Sequence, residues 1–162
     1  MTIIPSKNIY PCLLFDHQAE DAAKFYTSTV PNGKLGGITH YGEGAPLPAG
    51  TVLTVTFRIE DAEFMALNGG PYYAITPGVS FVIGCETQEE VDYSWEKLGE
   101  GGRYDQCGWL TDKFGVTWQV VPAMLGRLME LGDGKKTGAM MGAMMEMVKL
   151  DTATLQKAWD DG

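Results

Sequence analysis

The sequence is poor in the residues that build metal and redox sites: it has two histidines and three cysteines in 162 residues. His17 and His40 lie too far apart to share a helical turn, so no HxxxH pair exists. Cys12, Cys85 and Cys107 are odd in number, and no CxxC occurs, which fits reduced thiols in a cytoplasmic protein. Long apolar runs are missing as well. No stretch reaches the roughly 18 consecutive apolar residues of a membrane span. The start, MTIIPSKNIYP, has no apolar core of the kind a secretory signal needs. Basic residues are scarce, 12 against 21 acidic, giving a net charge of −9. Such a surface repels phosphate backbones and anionic lipid, so neither nucleic acid nor membrane is expected as a partner. The acids serve solubility.

What is present is the composition of one globular domain, with 44% apolar and 20% charged residues. IYPCLLF (9–15) reads as a buried strand. DHQAEDAAKFYTSTV follows as a helix, with Asp16 as N-cap and Glu20 and Asp21 at its positive end. Residues 35–41 are expected as a strand. TVLTVTFRI (51–59) alternates in β-prone residues, and EFMALN (63–68) returns beside it. The second half repeats the order. VSFVIGCE (79–86) is a strand, and TQEEVDYSWEKLG (87–99) a helix with a Thr87/Glu90 capping box. CGWLTD (107–112) and VTWQVV (116–121) are strands around a turn. A helical region starts at Pro122 and is expected to break at GDGKKTG (132–138). Its Met140, Met144 and Val148 form an apolar stripe suited to packing on the protein's own sheet or on a dimer mate.

Sliding the halves by 69 residues lays Glu20 on Glu89, Asp21 on Glu90, Tyr26 on Trp95 and Gly33 on Gly102. The repeat predicts an α+β fold of two paired βαβββ modules, residues 8–76 and 77–122, with a C-terminal helical extension over 123–162. Two curved sheets joined in this way are expected to leave a small-molecule cavity between them.

The segments CLLFDHQAEDAAKFY, LNGGP, SFVIGCETQEEVDYSWEKL, CGWLTDKFGVTWQVVP and AMMEMVKLDTATLQKA resemble the PhnB-like branch of the vicinal oxygen chelate (glyoxalase/bleomycin resistance/dioxygenase) superfamily. Members of that branch often carry the label 3-demethylubiquinone-9 3-methyltransferase. The resemblance implies a glyoxalase-like fold, a homodimer and a cupped site in each half-sheet. Superfamily enzymes usually hold a divalent metal with His, Glu or Gln from the sheet. Carried over by position, those ligands fall on Tyr10, on Val79 or Ser80, on Gln119 and near Ala66 to Asn68. A phenol, an aliphatic or hydroxyl group and an amide suit a transition metal poorly. No metal or other cofactor is therefore expected.

The cavity candidates are Tyr10, Cys12, His40, Asn68, Ser80, Cys107, Trp109 and Gln119. Gln119 shares its strand face with Thr117 and Val121, and its amide could bond a ligand. His40 precedes a flexible loop and could act as a base. His17 reads as a surface or capping residue, and Asn68-Gly69-Gly70-Pro71 as a turn rather than a phosphate loop. No residue is assigned as catalytic. The expected function is metal-independent binding of a compact polar or aromatic molecule, or an uncharacterised activity on one. The alternatives are methyl transfer as the family label states, a metal-dependent lyase or dioxygenase, and an interaction module acting through the Met-rich tail. A methyltransferase of the common type needs a glycine-rich loop after its first strand, whereas DHQAED follows here.

Overall fold

A computed structural model describes residues 5–162. The chain forms two compact units, Met1–Ile75 and Thr76–Gly162. The first contains β1 (Cys12–Phe15), α1 (Ala19–Thr29), β2 (Lys34–His40), β3 (Val52–Ile59) and β4 (Ala62–Asn68). Its sheet runs β1-β4-β3-β2, with β1 parallel to β4 and the other pairs antiparallel. Parallel neighbours cannot be joined by a tight hairpin, so α1 and two strands intervene between them.

Alternation along the strands divides the sheet into two faces. Leu13 and Phe15, Val55 and Phe57, and Phe64 and Ala66 are buried on one of them. Helix α1 buries Ala19, Ala22, Ala23 and Tyr26. The Tyr26 ring lies 5.8 Å from Phe57, which stacks on Phe64 at 5.1 Å. Each such aromatic contributes roughly 1.5–3 kcal/mol by leaving water. The first strand is shorter than the sequence suggested. Ile9 is 90% exposed, and Pro11 has no N–H to give the ladder, although its carbonyl accepts from Met65 N at 2.9 Å.

Asp16 does not cap α1. The N-cap is Gln18, whose side chain makes no capping bond. The Ala19 N–H instead donates to Asn68 Oδ1 at 2.9 Å. Asn68 stands opposite Phe15 in the parallel register, level with the start of the helix, whereas Asp16 comes two residues before the N-cap position. Asn68 Nδ2 donates to the Val52 carbonyl at 3.1 Å, and its own carbonyl accepts from Tyr41 Oη at 2.6 Å. One amide thus ties α1, β4 and β3 together.

A second tie joins the N-terminal segment to the sheet. The Glu63 carboxylate accepts from Ser6 N and Ser6 Oγ, both at 2.8 Å, and from Lys7 N at 3.2 Å. These bonds, led by the Ser6 backbone N–H, hold the Glu63 carboxyl below its ordinary pKa.

The second unit repeats the design. It holds β5 (Phe81–Cys85), α2 (Gln88–Gly99), β6 (Arg103–Tyr104), β7 (Trp109–Thr111) and β8 (Thr117–Pro122), in the sheet order β5-β8-β7-β6. Again the first and last strands are the parallel pair. Half of the capping box forms as read: Thr87 Oγ1 accepts from Glu90 N at 3.2 Å, while the Glu90 carboxylate accepts from the N–H of Glu86, one residue before the cap, at 2.6 Å. The two-residue β6 was not evident in the sequence. A Cβ on Gly102, just before it, would sit 2.1 Å from the Thr111 carbonyl oxygen, so only glycine permits this approach. Its repeat partner Gly33 is as confined, with a Cβ 2.0 Å from the Thr27 oxygen.

The extension forms α3 (Ala123–Met129), α4 (Gly134–Met145) and α5 (Thr152–Asp161). The expected break at 132–138 is misplaced, because Asp133 caps α4 by accepting from Lys135 N and Lys136 N, both at 3.1 Å. Met140 is buried with Leu125, Leu150, Leu155 and Trp159, and Met144 and Met147 pack against this cluster. Val148 lies beyond the end of α4 and is exposed, so it does not extend the stripe.

Two expectations follow. Asn68→Ala removes a buried cap and a strand bond and should cost about 2 kcal/mol in urea unfolding; a loss below about 0.5 kcal/mol would show that the amide does not organise the unit. Ser6→Ala should destabilise the protein at neutral pH. Because the folded Glu63 pKa lies below the unfolded one, that difference should persist above the ordinary Glu range and vanish as pH falls through the lowered value. An unfolding series across acid pH reads it, and a pH-independent difference would refute the assignment.

Candidate functional site

Each sheet has a helix-covered face and an opposite face, called open here. In the first unit the register aligns Cys12, Met65 and Thr56 in one cross-strand row of the open face. In the second it aligns Val82, Gln119 and Trp109. The rows are equivalent, since each joins first, last and third strands of its module. The last-strand counterpart of Gln119 is therefore Met65, not a residue within Ala66 to Asn68. Phe15 and Cys85 end the equivalent strands β1 and β5, a shift of 70, so Tyr10 corresponds to Ser80 rather than Val79.

The candidates divide between the units. Tyr10 precedes β1. Cys12 lies on the open face, and partial desolvation raises its thiol pKa, which opposes thiolate formation. His40 is exposed at the end of β2, opposite Val52. Asn68 is 2% exposed, on the helix-covered side, and its amide is engaged as described. His17 is a surface residue, 3.4 Å from Asp16.

In the second unit three candidates gather. Gln119 Nε2 donates to Ser80 Oγ at 2.9 Å, and Trp109 is the cross-strand neighbour of Gln119. Both Gln119 and Trp109 are half-buried. Cys107 stands apart from this row. Its backbone has φ of 60°, its N–H donates to the Met147 carbonyl at 2.8 Å, and its Sγ lies 3.8 Å from Met145 Sδ. It belongs to the seam with the extension. Cys85 is buried, and burial raises its thiol pKa.

The sequence reading did not single out Thr117 and Val82 as site residues. The alternation of β8 already put Thr117 on the face of Gln119, but only the parallel register brings Val82 there.

The donor chemistry of these positions does not fit a divalent transition metal. Tyr10, Ser80, Met65 and Gln119 offer a phenol, a hydroxyl, a thioether and an amide. Among the described residues no three or more His, Cys, Asp or Glu come together as a possible metal-holding group.

Residues 7–121 match the family described as 3-demethylubiquinone-9 3-methyltransferase. No curated protein matches the chain. A PhnB protein from Bacillus cereus with the same methyltransferase label is 34% identical, with 72% of this chain and 100% of that one covered and a TM-score of 0.66. Protein PA1353 from Pseudomonas aeruginosa is 25% identical over 72% of this chain and 98% of its own, with a TM-score of 0.61. The fosfomycin resistance protein FosX from Listeria monocytogenes, in a mutant holding Mn(II) and 1S,2S-dihydroxypropylphosphonic acid, is 13% identical over 78% of this chain and 99% of that one. Its TM-score of 0.55 supports the fold alone. With a family match across most of its length and these glyoxalase-like neighbours, the chain belongs to the PhnB-like family that carries the 3-demethylubiquinone-9 3-methyltransferase description, within the vicinal oxygen chelate superfamily.

Proposed function

We propose that the chain binds a compact polar or aromatic molecule on the open face of the β5–β8 sheet, and does so without a divalent metal. The observation that carries this reading is the row Val82–Gln119–Trp109. It sets an amide between an isopropyl group and an indole. The amide nitrogen is oriented by Ser80, so Oε1 remains as an acceptor for a ligand. The indole offers a flat apolar surface beside it. A few fixed polar groups on an apolar wall are the usual make-up of a ligand site. The equivalent row of the first unit has a thioether where Gln119 stands, and no amide.

Methyl transfer, the family's description, finds less support in the site. Asp16-His17-Gln18 follows β1 with no glycine-rich loop, and each sheet has one parallel pair rather than a doubly wound parallel array. A metal-dependent lyase or dioxygenase would need donors that the superfamily positions do not supply. The proposal includes a homodimer, as the family implies, in a reducing cytoplasm that suits three free thiols. Among the described residues no helix is long and apolar enough to cross a membrane.

Calorimetry with Mn(II), Ni(II), Zn(II) and Mg(II) should show no tight stoichiometric uptake, and S-adenosylmethionine should give no binding heat. Tight one-per-site binding of a metal would end the metal-free reading, and tight S-adenosylmethionine binding would revive the methyltransferase. An aromatic fragment screen by NMR should produce hits that shift the Trp109 indole N–H. Gln119→Leu should weaken those hits about fivefold to tenfold, the worth of one hydrogen bond. Hits that ignore both residues would refute this face as the site.

A further inference from the structure

Thr117 opens β8 two residues before Gln119, so strand alternation puts both side chains on the open face. Thr117 is only 2% exposed, and among the described residues its Oγ1 has no hydrogen-bond partner. Native structures rarely leave a buried hydroxyl unpaired, because its desolvation is not offset.

The repeat shows what such a position requires. Glu63 pairs with Arg58 next to the Met65–Thr56 pair, just as Thr117 pairs with Thr111 next to the Gln119–Trp109 pair. Glu63 is therefore the counterpart of Thr117. It too is buried, but Ser6 and Lys7 satisfy it with three bonds. The shift of 70 that relates β1 to β5 carries Ser6 onto Thr76 and Lys7 onto Pro77. Pro77 has no N–H to donate. Thr76 folds into a turn, its carbonyl accepting from Val79 N at 3.2 Å. The first unit satisfies its buried polar group, and in the second the equivalent hydroxyl has no partner among the described residues.

We propose that Thr117 and Gln119 together form the polar pair of the ligand site, and that the ligand is a neutral, flat molecule with oxygen functions at two ends. This rests on the binding reading given above and adds an anchor and a substrate class to it. Side chains two residues apart on a strand stand about 6.7 Å apart. A ligand with two polar groups at a matching separation engages both. Trp109 lies in the Gln119 row and suits a ring between them. Neutrality follows from charge. The protein carries −9, and Arg103, opposite Thr111, is engaged by Asp105 at 3.0 Å and donates to Thr111 Oγ1 at 3.4 Å. Among the described residues no unengaged cation lies on this row for an anionic ligand.

The test uses 4-hydroxybenzamide as probe, with phenol and benzamide as controls bearing a single polar function, titrated against the full-length protein by NMR. The Thr117 methyl and the Trp109 indole signals should shift together, and the two-ended probe should bind more tightly than either control. Thr117→Val keeps the shape and removes the hydroxyl. It should weaken the probe about tenfold without lowering Tm, while Thr117→Ser restores binding. Thr117→Val that lowers Tm and leaves the affinity unchanged would show the hydroxyl to be a structural group, overturning the proposal. So would a crystal structure with an ordered water on Thr117 that the probe does not displace. If Gln119→Leu weakens the probe and Thr117→Val does not, this inference alone fails. If neither variant changes probe binding, or the probe shifts neither signal, the underlying site assignment fails with it.

Discussion

In each unit the first strand lies parallel beside the last strand of the same module. Parallel strands demand a crossover, and here a helix with two intervening strands provides it. The helix must bury its apolar stripe, so it takes one face of the sheet and leaves the other free of it. The helix-facing residues, the open rows and the strand order all follow from that pairing. The junction between first strand and helix must also be held in place. The second unit does this locally with Thr87 and Glu90, and the first with Asn68, 49 residues along the chain from the amide it caps.

That difference explains what the sequence could reveal. The alternation of residues 51–59 and the Thr87/Glu90 pair are local signals; the strand formed as read, and Thr87 caps its helix with the Glu90 carboxylate one residue further back than a capping box places it. The repeat pairs were informative for a physical reason. Tyr26 and Trp95 are both buried on their helices, and Gly33 and Gly102 both leave no room for a side chain. Nonlocal devices were not legible. Asp16 was the only local cap in view, while Asn68 reaches α1 only after β4 has paired with β1. β6 is too short to carry a pattern, and the start of α4 rests on Asp133 within a glycine-rich run that resembles a breaker. In the candidate site the face of Gln119 was readable from alternation, but the state of Thr117 was not. It depends on which groups the fold brings within reach of the hydroxyl.

The duplicated modules use equivalent positions for different ends. At the row of Glu63 and Thr117, one module turns a buried polar group inward to bind its own N-terminal segment, which fastens that segment to the sheet. The other places a smaller group there, with no hydrogen-bond partner among the described residues. At the row of Met65 and Gln119, one module places a soft apolar side chain and the other an oriented amide. At the row of Met65 and Gln119 the hydrogen-bonding side chain of the last strand is thus in the second sheet. A ligand there can be recognised by hydrogen bonds alone, which favours neutral groups over the charged ones a metal centre would draw.

The C-terminal extension packs against one end of the second sheet's open face. The family match ends at residue 121, so α3 to α5 stand outside it. Val121, on the same strand face as Gln119, packs against the extension's apolar cluster. Cys107 N and Gly108 N donate to the Met147 and Val148 carbonyls, both at 2.8 Å, immediately before Trp109. A Cβ on Gly108 would lie 2.8 Å from the Val120 oxygen and 3.0 Å from Leu150 Cδ1, so glycine alone lets the seam close. The Gln88 amide holds the far side, donating to the Leu150 carbonyl at 3.2 Å and accepting from Thr152 N at 2.8 Å. The extension therefore covers the Val121 end of the face and stops beside Trp109. Toward its start β8 carries Thr117 and Gln119 on that face, clear of the contacts that the extension makes at Val121.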